Sequence, residues 1–69
     1  MKKVQYNRIK AVLAETGISN GKLAKHLGIR VETVSRWCTN DAQPSLKRLF
    51  EIAEYVKVDV RLLLVSTEK

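Results

Sequence analysis

The stretch 19–37, Ser-Asn-Gly-Lys-Leu-Ala-Lys-His-Leu-Gly-Ile-Arg-Val-Glu-Thr-Val-Ser-Arg-Trp, predicts two short helices joined by a tight turn. Ser19 is placed to cap the first helix by accepting from a backbone N–H near residue 21 or 22. Leu23, Ala24 and Leu27 then form one apolar stripe, and the small Ala24 lets another helix cross closely. Gly28 supplies the positive φ that ends this helix about 20–27. In the next helix, about 31–39, Val34, Trp37 and Cys38 recur at helical spacing and face inward. The opposite edge carries Glu32, Thr33, Arg36 and Thr39.

Two helices so joined, the second with a polar outer edge, make a helix-turn-helix, a unit that lays its second helix in the DNA major groove. Composition agrees. Thirteen Lys and Arg against seven Asp and Glu give a formal charge of +6, which on so small a chain favours a polyanionic partner. With 69 residues and 45% hydrophobic content, the chain is expected to fold as one domain over 1–69, with short tails at 1–3 and 66–69.

Outward from the motif, a first helix is expected over about 4–15. Tyr6, Ile9 and Leu13 make its inner stripe, Val12 lies beside them and Gly17 ends it. After Trp37 a loop runs from Thr39 to Pro44, in which Asn40 can adopt the left-handed conformation. Ser45 caps a fourth helix whose stripe is Leu46, Leu49, Phe50, Ala53 and Val56. Asp59 caps a short final helix holding Val60, Leu63 and Leu64. The expected architecture is all-α, a bundle of five short helices without a sheet.

Other chemistries find little support. Cys38 alone cannot form an internal disulfide and is expected to pack as a small apolar residue, in keeping with a reducing, cytoplasmic setting. One Cys and one His, His26, fall short of a structural zinc site and form no nucleophile–base pair. With no Gly-rich phosphate loop and no carboxylate pair in an apolar setting, neither catalysis nor a cofactor or small-molecule ligand is expected. The longest apolar run, Leu62-Leu63-Leu64-Val65, is too short to span a membrane.

From Ile9 to Leu64 the chain resembles the Xre family, the Cro/cI-type or lambda-repressor-like helix-turn-helix domain. The residues that carry the resemblance are Leu23-Ala24, Leu27-Gly28-Ile29, Thr33-Val34-Ser35-Arg36-Trp37, Pro44-Ser45-Leu46, Leu49, Ile52-Ala53 and Val58-Asp59-Val60-Arg61-Leu62-Leu63. It implies five helices, the second touching DNA phosphates and the third reading bases, and it implies homodimers on inverted repeats that regulate transcription. Carried over, base contacts fall on Arg30, Val31, Glu32 and Arg36. Phosphate contacts fall on Ser19, Asn20, Lys22, Thr33, Thr39 and Asn40. The chain departs from the family pattern at Asp41, an acid where a basic residue is frequent, and at Gly21, where a better helix former is usual.

Several residues admit two readings. Glu32 and Arg36, four apart, form either a surface ion pair or two separate readers of cytosine and guanine. Val31 either meets a thymine methyl or completes the turn. Lys25, Lys2, Lys3 and Arg8 could widen the phosphate footprint. Trp37 is expected in the core, Tyr6 and Tyr55 half-buried, and His26 at the surface. Three consecutive leucines cannot share one helix face, so Leu62 or Leu64 is left outside and, with Val58, offers a dimer patch. The rival to DNA binding is an antitoxin-like or accessory module whose task is to hold a protein partner.

Overall fold

The computed structural model describes residues 4–67. The helices are α1 (Ile9–Thr16), α2 (Asn20–Leu27), α3 (Val31–Cys38) and α4 (Leu46–Val56), followed by a 3-10 turn over Val60–Leu63. The expected fifth helix is thus a single tight turn, and the described residues hold four α-helices. None of them is long and apolar enough to cross a membrane.

Capping sets where the helices begin. Ser19 Oγ accepts from Lys22 N at 3.1 Å, and Ser45 Oγ accepts from Arg48 N at 3.2 Å. Asp59 Oδ1 accepts from Arg61 N at 2.9 Å to open the 3-10 turn. The Arg61 side chain also binds Asp59, and these bonds together hold its carboxyl below the ordinary aspartate range.

All four helices end alike. Gly17, Gly28 and Lys57, all of positive φ, follow α1, α2 and α4 directly, and α3 is followed by Thr39 and then by Asn40, also of positive φ. The next N–H then reaches back to a carbonyl five residues earlier: Ile18 to Leu13, Ile29 to Ala24, Asp41 to Arg36 and Val58 to Ala53. This closure satisfies carbonyls that a helix end otherwise leaves bare. Gly28 makes the turn of the motif tight, its φ of 69° lying in the left-handed region that glycine enters without the penalty a Cβ imposes.

The core gathers Ile9, Val12 and Leu13 of α1, Leu23 and Ala24 of α2, and Val34 and Trp37 of α3. Leu49, Ile52, Ala53 and Val56 of α4 and Leu63 complete it. The packing of α2 on α3 is the most extensive between elements, as the small Ala24 allows. Trp37, only 5% exposed, is a core residue as its spacing indicates. Tyr55 is half-buried and stacks on the exposed His26, with ring centroids 4.0 Å apart.

Three expectations are corrected. The first helix begins at Ile9 rather than near Val4, because Asn7 intervenes: its Oδ1 accepts from Ile9 N at 3.0 Å. Residues 4–6 belong to no helix, and Tyr6 is exposed instead of lying on a core stripe. A lone antiparallel bridge joins Asn7 to Leu64, with Arg8 N donating to Leu63 O and Val65 N to Tyr6 O. On α4, Leu46 and Phe50 face solvent, 70% and 56% exposed, while Ile52 is fully buried. The inner stripe runs through Leu49, Ile52, Ala53 and Val56, and Phe50 sits about 100° off Leu49 around the helix.

The N-terminal segment is held by a buried amide network. Asn40 Oδ1 accepts from the backbone N–H groups of Tyr6 (2.9 Å) and Asn7 (3.1 Å), and from Gln43 Nε2 (3.2 Å). Asn40 Nδ2 donates to Asn7 O at 3.3 Å. Asn7 Nδ2 donates in turn to Trp37 O (3.0 Å) and Gln43 Oε1 (2.7 Å). Among the described residues no buried side-chain polar atom lacks a partner.

Asn40 and Lys57 share a φ of 61°, yet glycine should affect them oppositely. Lys57→Gly removes a left-handed penalty and should stabilise the fold by about 0.5–1 kcal/mol. Asn40→Gly keeps the backbone content but strips buried donors of their acceptor, and should cost about 1–3 kcal/mol. Urea unfolding of both variants checks this; a stabilised Asn40→Gly would show that the amide network contributes nothing.

Candidate nucleic-acid interface

The α2–α3 unit presents one continuous polar surface made of the start of α2, the turn 28–30 and the outer edge of α3. Ser19, Lys22, Lys25, Arg30, Val31, Glu32 and Arg36 are all exposed on it, and Asn20 and Thr33 are half-buried. Four cations therefore share the unit with one acid, Glu32.

Arg36 lies in the last turn of α3 with its side chain exposed, and among the described residues no hydrogen bond or ion pair holds its guanidinium. Of the two readings of Glu32 and Arg36, the surface ion pair is not formed; Glu32 lies instead beside Arg30. Glu32 Oε1 lies 3.9 Å from Arg30 Nε, both side chains being largely exposed, and such a pair contributes little in water. Both guanidinium groups are thus largely exposed to solvent. Val31, 42% exposed, adds an apolar spot at the α3 N-terminus.

Ser19 combines two roles. Its oxygen is the α2 cap acceptor while its hydroxyl proton remains a donor. Asn20 does more than the sequence suggested. Its Nδ2 donates to Ser35 Oγ at 3.3 Å, and its Oδ1 faces Cys38 Sγ at 3.5 Å. The carboxamide therefore bridges α2 to α3 and sets their relative placement. Ser35 was not singled out in the sequence; its partner lies fifteen positions upstream, and only the helix crossing brings them together.

The Asn40 side chain, expected at a phosphate, is buried instead. It is 8% exposed and committed to Tyr6, Asn7 and Gln43, because the left-handed turn points its amide into the protein. Thr39 is exposed, but its hydroxyl lies 2.6 Å from an Asp41 carboxylate oxygen, so its proton is engaged beside a negative charge. Arg8 is drawn away as well, with Nη1 donating to Leu62 O at 3.1 Å and Nη2 lying 3.8 Å from Glu15. Lys2 and Lys3 lie outside the described residues.

Cys38 is half-buried against the core, and that burial raises its thiol pKa. A protonated, packed thiol is a poor nucleophile, so Cys38 serves α3 as filler. Leu62 and Leu64 are both exposed, 51% and 43%, while Leu63 between them is fully buried; Val58 is half-buried against the core.

The comparisons with known proteins agree with this geometry. A candidate DNA-binding protein from Bacteroides fragilis shares 49% identity, with a TM-score of 0.85 over 86% of this chain and 95% of its own. A transcriptional regulator from Listeria innocua shares the fold at 20% identity and a TM-score of 0.72, over 96% of this chain and 64% of its own. No match was found among curated proteins. A helix-turn-helix family model matches residues 9–63, from the first residue of α1 to the last of the 3-10 turn. The chain belongs to the helix-turn-helix family, of the Xre or Cro/cI type.

Proposed function

We propose that this chain is a sequence-specific transcriptional regulator that binds double-stranded DNA as a homodimer on an inverted repeat, with α3 in the major groove. The observation that carries the reading is the exposed Arg36 in the last turn of α3, whose guanidinium none of the described residues holds, on the helix that also carries Val31 and Glu32 and follows Arg30. The description of the Bacteroides fragilis relative as a DNA-binding protein supports it.

The roles divide by chemistry. Arg36 and Arg30 can each present two parallel donors to guanine O6 and N7. Glu32 can accept from cytosine N4, and Val31 can pack on a thymine methyl. Ser19, Asn20, Lys22 and Thr33 fix the register through phosphates, aided by the positive end of α2. Glu32 is repelled by the DNA backbone, so its place on this edge favours selective over indiscriminate binding. Pairing doubles the footprint and makes the second half-site an intramolecular event. Two apolar surfaces offer a seam for that pairing: the C-terminal one with Leu62 and Leu64, and the outer face of α4, which Val58 borders.

Affinity should fall steeply with salt. If each copy neutralises about three or four phosphates, log K against log salt should have a slope of about −5 to −7 for the pair. A slope shallower than about −2 would remove this surface as a DNA interface.

Arg36→Ala should cost about 1–3 kcal/mol on the best site, read from titrations against that site, single-base variants and random DNA. In the same assay Glu32→Ala should raise random-DNA affinity while relaxing discrimination at one base pair. An equal gain on every sequence would reduce Glu32 to a surface charge. Asn20→Ala should weaken all sequences alike and also lower the unfolding midpoint, because its amide holds α2 to α3.

A further inference from the structure

The outer face of α4 carries none of the residues assigned to DNA contacts. Leu46 and Phe50 stand out from it, 70% and 56% exposed, along a groove of about 710 Å³ whose far wall includes Val58 and Val60. Phe and Leu so exposed on a domain this small call for a cover, since an apolar patch rimmed by charge marks an interaction surface.

Leu46 and Phe50 stand one turn apart on the same side of α4, and Ala53, itself buried in the core, floors the groove beside them. Lys47 and Glu54, one heptad apart, flank that pair on the same side. Both are exposed, and among the described residues neither makes a hydrogen bond or ion pair. Glu51, by contrast, is already engaged with Arg48 at 2.9 Å.

We infer that the α4 face is where two copies of this chain pair, α4 running antiparallel to α4 of the other copy across a two-fold axis near Phe50. The charge pattern fixes both occupant and direction. Antiparallel helices bring the same flank of each together, so Lys47 of one copy meets Glu54 of the other, and the two-fold repeats the contact. A parallel arrangement would instead set Lys47 level with Lys47 and Glu54 level with Glu54. In the antiparallel pair each Phe50 leaves water for the other copy's groove beside Val58 and Val60. At three turns, α4 offers a short seam, about 16 Å long, so the pair should be weak in solution and reinforced when both copies hold DNA.

The inference rests on the homodimer reading and gives it a location, with Leu62 and Leu64 outside the seam. Its test is sedimentation equilibrium of the purified chain without DNA, at low salt, with circular dichroism to verify folding. Every change lies on exposed side chains. Lys47→Glu and Glu54→Lys should each weaken self-association about tenfold or more. The combined variant, with the charges exchanged, should return to within about threefold of the wild type. Phe50→Glu should give a folded monomer, and Leu62→Glu should leave the pair intact. Single reversals without effect, or a double variant as weak as the singles, would overturn the antiparallel seam. Loss of pairing in Leu62→Glu with Phe50→Glu unaffected would move the seam to the C-terminal leucines and leave the homodimer standing. A wild type that stays monomeric to millimolar concentration, and binds DNA one copy per site, would overturn both and assign the groove to a different partner.

Discussion

The contact on which the rest of this structure depends is the buried pair Asn7–Asn40. It joins segments more than thirty residues apart and holds the chain's start against the end of α3. Asn7 also supplies the acceptor for Ile9 N, so the same side chain both starts α1 and anchors it. Through the neighbouring bridge to Leu64, the segment after the 3-10 turn is drawn into the same knot. Amide groups suit this place because each offers donors and acceptors together. Removing one leaves several backbone groups dry and unpaired, which costs more than any single hydrogen bond contributes.

That knot matters because the individual helices are weak. The first three have eight residues each, below the length at which an isolated helix holds in water. Their stability comes from their C-terminal closures, from the Ser19 cap of α2 and from a shared core. Packing does most for α3, which must keep a polar edge outward while Val34 and Trp37 hold its inner side. Its C-terminal turn is fastened by Asn40 and its middle by the Asn20–Ser35 bond. A recognition surface on so short a helix needs this bracing from two sides, since a loose helix would spend binding free energy on ordering itself.

The charges are sorted by the fold more than by the sequence. Arg8, Arg48 and Arg61 are engaged with carboxylates or carbonyls of their own chain, and their contribution to any external field is blunted. Lys22, Lys25, Arg30 and Arg36 remain on the α2–α3 side. With Lys10 and Lys57 exposed elsewhere, the basic surface is weighted toward the α2–α3 side without being confined to it. On the α4 side, Lys47 and Glu54 balance each other, and an apolar stripe takes the place of a field.

The sequence by itself determined the motif and its punctuation. Ser19, Gly28 and Ser45 act through bonds to residues a few positions away, and the periods of Leu23 with Ala24 and of Val34 with Trp37 are equally local. Such features are legible in order along the chain, and with them the family and the exposed edge of α3. What only the tertiary structure decided were the pairings at long separation. Asn40 could be read as a left-handed residue, but not as the acceptor for Tyr6 and Asn7, and so it was expected to reach a phosphate. The apolar spacing of Tyr6 matched a helix that the Asn7 side chain cuts off. Phe50 and Leu46 fit a broad helical stripe in sequence, yet the core is only wide enough for the arc from Leu49 to Val56. A periodicity states which side chains share a face; how much of that face the neighbouring elements cover is set by their packing, which no single segment contains.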